Sequence, residues 1–270
     1  MTGTRLDAAL AERGLARSRT HAARLIADGL VTVDGRPAMK PSLRVEDAQR
    51  IEVAVDDGHV SRAALKLIGA LDAFPVPVAG RLALDVGAST GGFTQVLLER
   101  GASAVIALDV GHGQLHPSLR SDPRVRVVEG ANARYLTAPS LAELSGTAEI
   151  PDLIVADLSF ISLTTVLPAL VDTVGTSADM ILLIKPQFEV GRGGIREGVV
   201  RNPGLRLDAV ERVLWAAWDL GLATAGLLPS PIAGSSGNRE YLVWFSEVSG
   251  GNPTEWRTEL SQLDAPEGQA

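Results

Sequence analysis

Four residues far apart in the chain, Lys66, Asp157, Lys185 and Glu240, are of types that can do chemistry together. Each stands beside an apolar segment. Lys66 lies on a helical stretch, Asp157 follows Leu153-Ile154-Val155-Ala156, Lys185 follows Ile181-Leu182-Leu183-Ile184, and Glu240 precedes Tyr241–Phe245. Singly, each reads as a surface charge. Lysines near carboxylates can activate a hydroxyl, but an ordinary lysine, with a pKa of about 10.4, is protonated at neutral pH. Such a lysine must be tuned, or else act as an electrostatic clamp.

A second cluster says what kind of molecule sits nearby. The strand-like run Leu82-Ala83-Leu84-Asp85-Val86 enters a loop, Gly87-Ala88-Ser89-Thr90-Gly91-Gly92, that opens a helix at Phe93. Glycines there admit close approach of a ligand to inward-pointing N–H groups. A second apolar run, 104–108, ends in Asp109, about 20 residues past the loop, where a carboxylate grips ribose hydroxyls in Rossmann-type sites. An adenosine-containing cofactor follows. Ser89 replaces the glycine that would admit a pyrophosphate, which weakens NAD, and no triphosphate-binding G-x-x-x-x-G-K-[ST] occurs. S-Adenosylmethionine, which carries no phosphate, fits best. NAD and a ligand-free tight turn are the other readings of the loop.

These residues need a scaffold, and 270 residues with 46% apolar content supply one medium domain and a small one. From 80 to 245 apolar strands (82–86, 104–108, 125–128, 153–156, 180–184 and 241–245) alternate with helical segments, which predicts a mainly parallel sheet covered on both faces. Ligands in such sheets bind at the carboxyl ends of strands, where Asp85, Asp109, Asp157 and Lys185 fall. A helix over 61–74, capped by Ser61 and turning Leu65, Ile68, Leu71 and Ala73 inward, is expected to carry Lys66. No apolar run approaches 18 residues and no signal-peptide core follows Met1, so the expected setting is cytoplasmic. The absence of cysteine suits that compartment and removes thiolate nucleophiles and thiolate zinc sites. With four scattered histidines, no metal is expected.

The net charge of −7 hides an asymmetry, because residues 1–44 carry eight cations against four anions. That segment is the predicted docking face for an RNA backbone. It reads as two short helices, the second capped by Ser18, followed by a strand at 31–33, an Asp34-Gly35 turn and a final strand within 50–55. Arg5, Arg17, Ser18, Arg19, Arg24 and Lys40 are its candidate RNA-binding residues. A glycine-rich segment at 191–206, with Arg192, Arg196, Arg201 and Arg206, reads as a mobile basic loop. Residues 249–270 are polar and read as a frayed tail.

The N-terminal pattern of Arg5-Leu6-Asp7, Ser18-Arg19, Leu25-Ile26 and Gly29-x-Val31-x-Val33-x-Gly35 resembles the RNA-binding domain named after ribosomal protein S-four. The motifs Ala88-Ser89-Thr90-Gly91-Gly92-Phe93-Thr94, Asp157-Leu158-Ser159-Phe160-Ile161-Ser162, Lys185-Pro186-Gln187-Phe188-Glu189 and Ser236-Gly237-Asn238-x-Glu240-Tyr241 resemble the TlyA family, over residues 5 to about 246. The resemblance implies a Rossmann-like α/β S-adenosylmethionine-dependent methyltransferase fold of the FtsJ type, preceded by a small α+β RNA-binding domain. It implies 2′-O-methylation of cytidine ribose in ribosomal RNA, with Lys66, Asp157, Lys185 and Glu240 as a catalytic tetrad. The expected boundaries are 1–58, 59–248 and 249–270. The candidate cofactor set is Asp85, Gly87, Ala88, Ser89, Gly91, Gly92, Phe93, Asp109, Asn132 and Asp157. The family often reads Trp-Val-Ser-Arg-Gly-x-His-Lys-Leu at the joint; here it is His59-Val60-Ser61-Arg62-Ala63-Ala64-Leu65-Lys66-Leu67, which keeps the lysine. Two rival readings are a non-catalytic RNA-binding or ribosome-assembly factor and a membrane-active hemolysin.

Overall fold

The computed structural model describes residues 3–16, 18–27, 29–53, 58–191, 195, 198–234 and 237–263; Arg24 and Ala27 are placed only in their backbone. The chain divides into two compact units, Met1–Arg62 and Ala63–Ala270.

In the first unit a short strand, β1 (Thr4–Arg5), leads into α1 (Leu6–Glu12) and α2 (Arg19–Ala27), then β2 (Val31–Val33), β3 (Arg36–Pro37), β4 (Arg44–Val45) and β5 (Ile51–Val53). Ser18 caps α2 as expected, its Oγ accepting the His21 N–H at 3.1 Å. Asp34 and Gly35 both take positive φ, 51° and 73°, the two-residue turn that joins β2 to β3 without splaying them. Leu6, Leu10, Ala22, Ile26, Val31 and Val45 form a small closed core. The helices supply most of it, since strands of two or three residues bury little.

The second unit opens with α3 (Ala64–Ala73). It then runs β6 (Leu82–Val86), α4 (Gly92–Glu99), β7 (Ala104–Asp109), α5 (Pro117–Arg120), β8 (Val125–Glu129), α6 (Ala138–Ser145), β9 (Leu153–Ala156) and α7 (Leu163–Val174). It closes with β10 (Asp179–Ile184), α8 (Pro186–Glu189), α9 (Pro203–Trp218), β11 (Thr224–Pro229), β12 (Tyr241–Phe245) and α10 (Arg257–Gln262). The strands form one seven-stranded sheet in the order β11-β12-β10-β9-β6-β7-β8. Only β12 runs against its neighbours, antiparallel to both β10 and β11. Because of that reversal, β12 begins at the edge where β9 and β10 end, with Tyr241 opposite Ile184. Glu240, one residue earlier, therefore reaches the same edge as Asp157 and Lys185.

Every residue of β6, β9 and β12 is buried, which explains why, Asp85 apart, these strands are apolar throughout. The sequence pattern does not reveal β11: Gly226 and Pro229 interrupt it, and it is only partly buried. Gly226 is there for packing, since a Cβ would overlap the Phe74 ring, which also lies 5.9 Å from Trp244.

The structure corrects three expectations. The helix expected at 61–74 begins at Ala64, without a side-chain cap, and buries Ala64, Lys66, Leu67, Ala70 and Leu71 while Ala73 is exposed. Its inward face is rotated by about one residue because Lys66 itself turns inward. Residues 249–263 are not a frayed tail. A 3-10 turn at Pro253–Trp256 and α10 pack onto the sheet edge, with Trp256 Nε1 donating to Thr224 O at 3.1 Å and Leu260 buried. Arg206 belongs to no loop: it is buried in the first turn of α9, donating to the carbonyls of Val200 and Arg201. Arg192 and Arg196, like residues 264–270, lie outside the described residues.

Candidate active site

The four chemical residues converge. Lys66 Nζ donates to Glu240 Oε2 at 2.7 Å and to Asp157 Oδ2 at 3.4 Å, and Lys185 Nζ forms a close ion pair with Asp157 Oδ1 at 2.5 Å. Lys185 Nζ also donates to Ser159 Oγ at 2.9 Å. Two ammoniums and two carboxylates leave the cluster neutral, which is what lets charges stay buried. Burial pushes the Asp157 carboxyl up, but the neighbouring Lys185 and Lys66 ammoniums outweigh it and hold it below the usual carboxylate range.

Small residues make this convergence possible. Gly69, one turn along α3 from Lys66, lets the helix approach the segment before β12, since a Cβ there would stand 2.9 Å from Pro231 Cγ. Gly234 leaves room for the Glu240 carboxylate, because its Cβ would overlap Glu240 Oε1. Asn238 then fixes the hairpin, accepting the Val200 N–H at 3.0 Å and donating to Gly198 O at 2.9 Å. Ser236 lies outside the described residues.

Beside the tetrad, at the ends of β6, β7, β8 and β9, runs a cleft of about 420 Å³, within the range of small-molecule sites. Gly87, Ser89, Asp109, Asn132 and Asp157 from the candidate cofactor set line it. Asp109 is already organised: Oδ2 accepts the Ser89 N–H at 2.9 Å and Oδ1 the Gly111 N–H at 2.7 Å. A carboxylate has about four acceptor sites, so capacity remains for a diol. Leu108, Val110, Ile161 and Val166 supply apolar wall. A strand-end carboxylate, apolar walls and a second carboxylate, Asp157, form a donor set that fits the ribose, purine and cationic end of S-adenosylmethionine.

The rest of the candidate set stands behind the cleft. Phe93 and Gly92 are buried in α4, and Ala88 is buried in the loop. Gly91 has φ +99°, and a Cβ there would strike the side chains of Leu119 and Leu115, so packing and backbone conformation demand this glycine. A valine at 91 therefore strains the fold and does not probe ligand approach alone. Gly87, by contrast, lines the cleft with φ +85° and passes against the Asp157 carbonyl. Asp85 is fully buried, and Thr94 Oγ1 donates to its Oδ2 at 2.6 Å. Burial pushes its carboxyl up to about 7.

Sequence reasoning passes over two exposed aromatic residues, one of them on the cleft. Phe160, with φ +64°, is 91% exposed on the cleft rim and lies 5.3 Å from the Phe188 ring. Tyr135, just past Asn132, is also exposed, with Arg134 over its ring at 5.6 Å. An aromatic residue three positions past a strand-end aspartate, between serines at 159 and 162, is the signal that could have found Phe160.

In the first unit, Arg5 and Arg19 both pair with Asp7, at 3.0 and 3.2 Å, while keeping substantial exposure. The Arg5 side chain above all, with Arg19, holds the Asp7 carboxyl down at about 2. Lys40 is exposed, and Ser18 is committed to its cap. Arg17 lies outside the described residues.

The FtsJ-like methyltransferase family model matches residues 59–247 and the S4 domain model matches residues 4–51. The 16S/23S rRNA (cytidine-2′-O)-methyltransferase TlyA of Mycobacterium tuberculosis is 54% identical over 89% of each chain. Hemolysin A of Brachyspira hyodysenteriae is 38% identical over 89% of this chain and 99% of its own length. A solved structure described as a hemolysin from Streptococcus thermophilus superposes with a TM-score of 0.74 at 37% identity, covering 97% of this chain and 96% of that one. Among the described residues no helix is long and apolar enough to cross a membrane. A convergent lysine–carboxylate tetrad beside a strand-end cleft, on this strand order and with these matches, gives one assignment: the chain belongs to the FtsJ-like methyltransferases and, among them, to the TlyA family.

Proposed function

We propose that the protein transfers the methyl group of S-adenosylmethionine to the ribose 2′-hydroxyl of a cytidine in ribosomal RNA, in the cytoplasm, with the N-terminal unit docking the RNA. The observation that carries this reading is the closure of the tetrad, in which side chains from four remote segments meet within hydrogen-bonding reach beside the cleft. When bound, S-adenosylmethionine supplies a methyl group already activated on a sulfonium.

The residues then have separate tasks. Asp109 and Asn132 hold the adenosine part, and Asp157 sets a negative charge at the cationic end of the cleft. Lys185 Nζ, an ammonium held between Asp157 Oδ1 and Ser159 Oγ, stabilises the 2′-oxyanion as it forms while the hydroxyl proton leaves to solvent. Glu240 and Asp157 orient Lys66 Nζ toward that hydroxyl or its neighbouring phosphate. Phe160 offers an exposed face on which an unstacked base can lie. Most of the acceleration is then positioning and electrostatics.

The direct test incubates the protein with labelled S-adenosylmethionine and each purified ribosomal subunit, then maps 2′-O-methylated nucleotides, with Lys185→Ala as control. Methylation by the wild type and none by the variant is expected. Cofactor and RNA binding without methylation would instead favour the assembly-factor reading. Leakage of liposomes without methylation would favour the hemolysin.

A further inference from the structure

We propose that Glu189 is a positioning residue for methyl transfer, its buried side chain clamping the loop after β9 to the short helix after β10. The proposal rests on the methyltransferase reading for its kinetic consequence, but the clamp itself can be measured without turnover.

Neighbouring strands fix where two catalytic segments start, not where their side chains end. Asp157, Ser159 and Phe160 sit on the connection from β9 to α7, and Lys185 is the N-cap residue between β10 and α8. Phe160 occupies the left-handed region at φ +64°, a conformation that a non-glycine residue keeps only when its surroundings impose it. Glu189 supplies the far anchor. Its Oε1 accepts the Leu163 N–H at 2.7 Å and its Oε2 accepts the Ser162 hydroxyl at 2.5 Å, while its own carbonyl accepts from Arg212 Nη1 at 2.8 Å. Between this anchor and the strand ends the two segments touch twice more, at Ser159–Lys185 and at Phe160–Phe188.

An ordinary helix cap does not account for the arrangement. The start of α7 already has one, because Ser162 Oγ accepts the Thr164 N–H at 3.1 Å. Nor does Glu189 line the cleft, so it acts through its neighbours. Its donors are a hydroxyl and a backbone amide, neither of which requires a full negative charge. Burial in fact pushes its carboxyl above the usual range, against the Ser162 and Leu163 hydrogen bonds and the more distant Arg212. A neutral side chain of the same shape should therefore serve.

The test compares Glu189→Ala and Glu189→Gln in single-turnover methylation, in calorimetry with S-adenosylmethionine and in hydrogen exchange of the amides of residues 158–163. The alanine variant should lose about 10- to 100-fold in rate, the scale of an ångström-level misplacement. Its cofactor affinity should change less than about threefold, since Gly87, Ser89, Asp109 and Asn132 are untouched. Exchange at 158–163 should quicken at least about tenfold, and glutamine should restore rate and protection to within about threefold. Three results overturn the proposal: unchanged exchange in the alanine variant, a rate loss no larger than its affinity loss, or a glutamine variant as impaired as alanine. Should Glu189→Ala fail to fold, Ser162→Ala removes one of the two anchors and must quicken exchange at 158–161. Quickened exchange in a protein that never methylates RNA would confirm the clamp and place the failure in the functional reading.

Discussion

Asp85 and Asp157 lie on adjacent parallel strands, with Asp85 opposite Val155 and Asp157 two residues farther along the β9 chain. Both are aspartates withdrawn from water beside one cleft, yet they are held in opposite states. Among the described residues Asp85 has a single hydroxyl partner, Thr94, no paired cation, and a buried Oδ1 without a hydrogen-bond partner, so burial keeps it protonated up to about 7. Asp157 faces two ammoniums and is held ionised. Depth alone therefore does not decide the charge of a buried acid; the cations delivered to it do. Here they are delivered by α3 and by the end of β10, so the charge of the tetrad depends on the register of elements far away in sequence.

Removing a cation should break the contrast most severely. Lys185→Met keeps the bulk and deletes the charge. We expect kcat to fall about 10²- to 10⁴-fold, the range for a positioned acid–base group. The Asp157 carboxyl should also titrate higher, toward the behaviour of Asp85, as read by carbon NMR of labelled aspartate. An unmoved Asp157 would mean that Lys66 alone sets its charge.

The next effect is on stability. A carboxyl whose folded pKa lies above its unfolded value favours folding below the unfolded pKa, and that contribution is lost as pH rises through the folded one. For Asp85 the window runs from the ordinary carboxyl value of 3.8 to about 7. The opposite holds for Asp157, whose lowered pKa lends stability above the carboxylate range that fades on acidification. Asp85→Asn cannot ionise and still accepts the Thr94 hydroxyl. Relative to wild type it should gain stability as pH rises from about 4 to 8, by up to something on the order of 4 kcal/mol. Denaturant unfolding across that range checks it, and parallel curves for the two proteins would refute it.

How far these features are legible in the sequence follows from the same contrast. Strand ends announce themselves: an apolar run stopping at Asp85, Asp109, Asp157 or Lys185 places the residue at one edge of a parallel sheet. The sequence does not say which of them face the cleft. Asp85 lies inside β6 and points into the core, whereas Asp157 stands one residue past β9, and no periodicity marks that step. The phase of the helix around Lys66 is misread because a helix that turns a lysine inward breaks the apolar pattern used to orient it. Glycines are the least readable of all. Those at 69, 226 and 234 sit in helix, strand and loop so that another chain segment can pass, a property of the partner rather than of the local sequence.

Gly234 offers a milder way to disturb the tetrad. It is not in the left-handed region, so alanine is acceptable to the backbone, but the added Cβ would push the Glu240 carboxylate off Lys66. Gly234→Ala should lower kcat about tenfold while leaving the melting temperature and cofactor affinity close to wild type. A fully active variant would show that Glu240 need not hold Lys66 in place.

Asp7 sharpens the comparison from the other unit. Like Asp157 it is a shielded carboxylate between two cations, and it is held down at about 2 by Arg5 and Arg19. Unlike the lysines of the tetrad, those arginines reach solvent, so the pair with Arg19 contributes only about 0–1 kcal/mol to stability. Their second role is the RNA backbone. Arg19→Ala should reduce the slope of log affinity against log salt by up to about 0.9 for each phosphate the guanidinium neutralises, the duplex limit. Binding of S-adenosylmethionine should stay the same. Exposed Lys40 is the control away from Asp7, and Lys40→Ala should cost a comparable slope but leave the Asp7 titration in place. If Arg19 serves only Asp7, the salt slope will not move. The acid limb of the stability curve alone will then shift, because stability lent by a depressed carboxylate is lost earlier on acidification when its cation is gone.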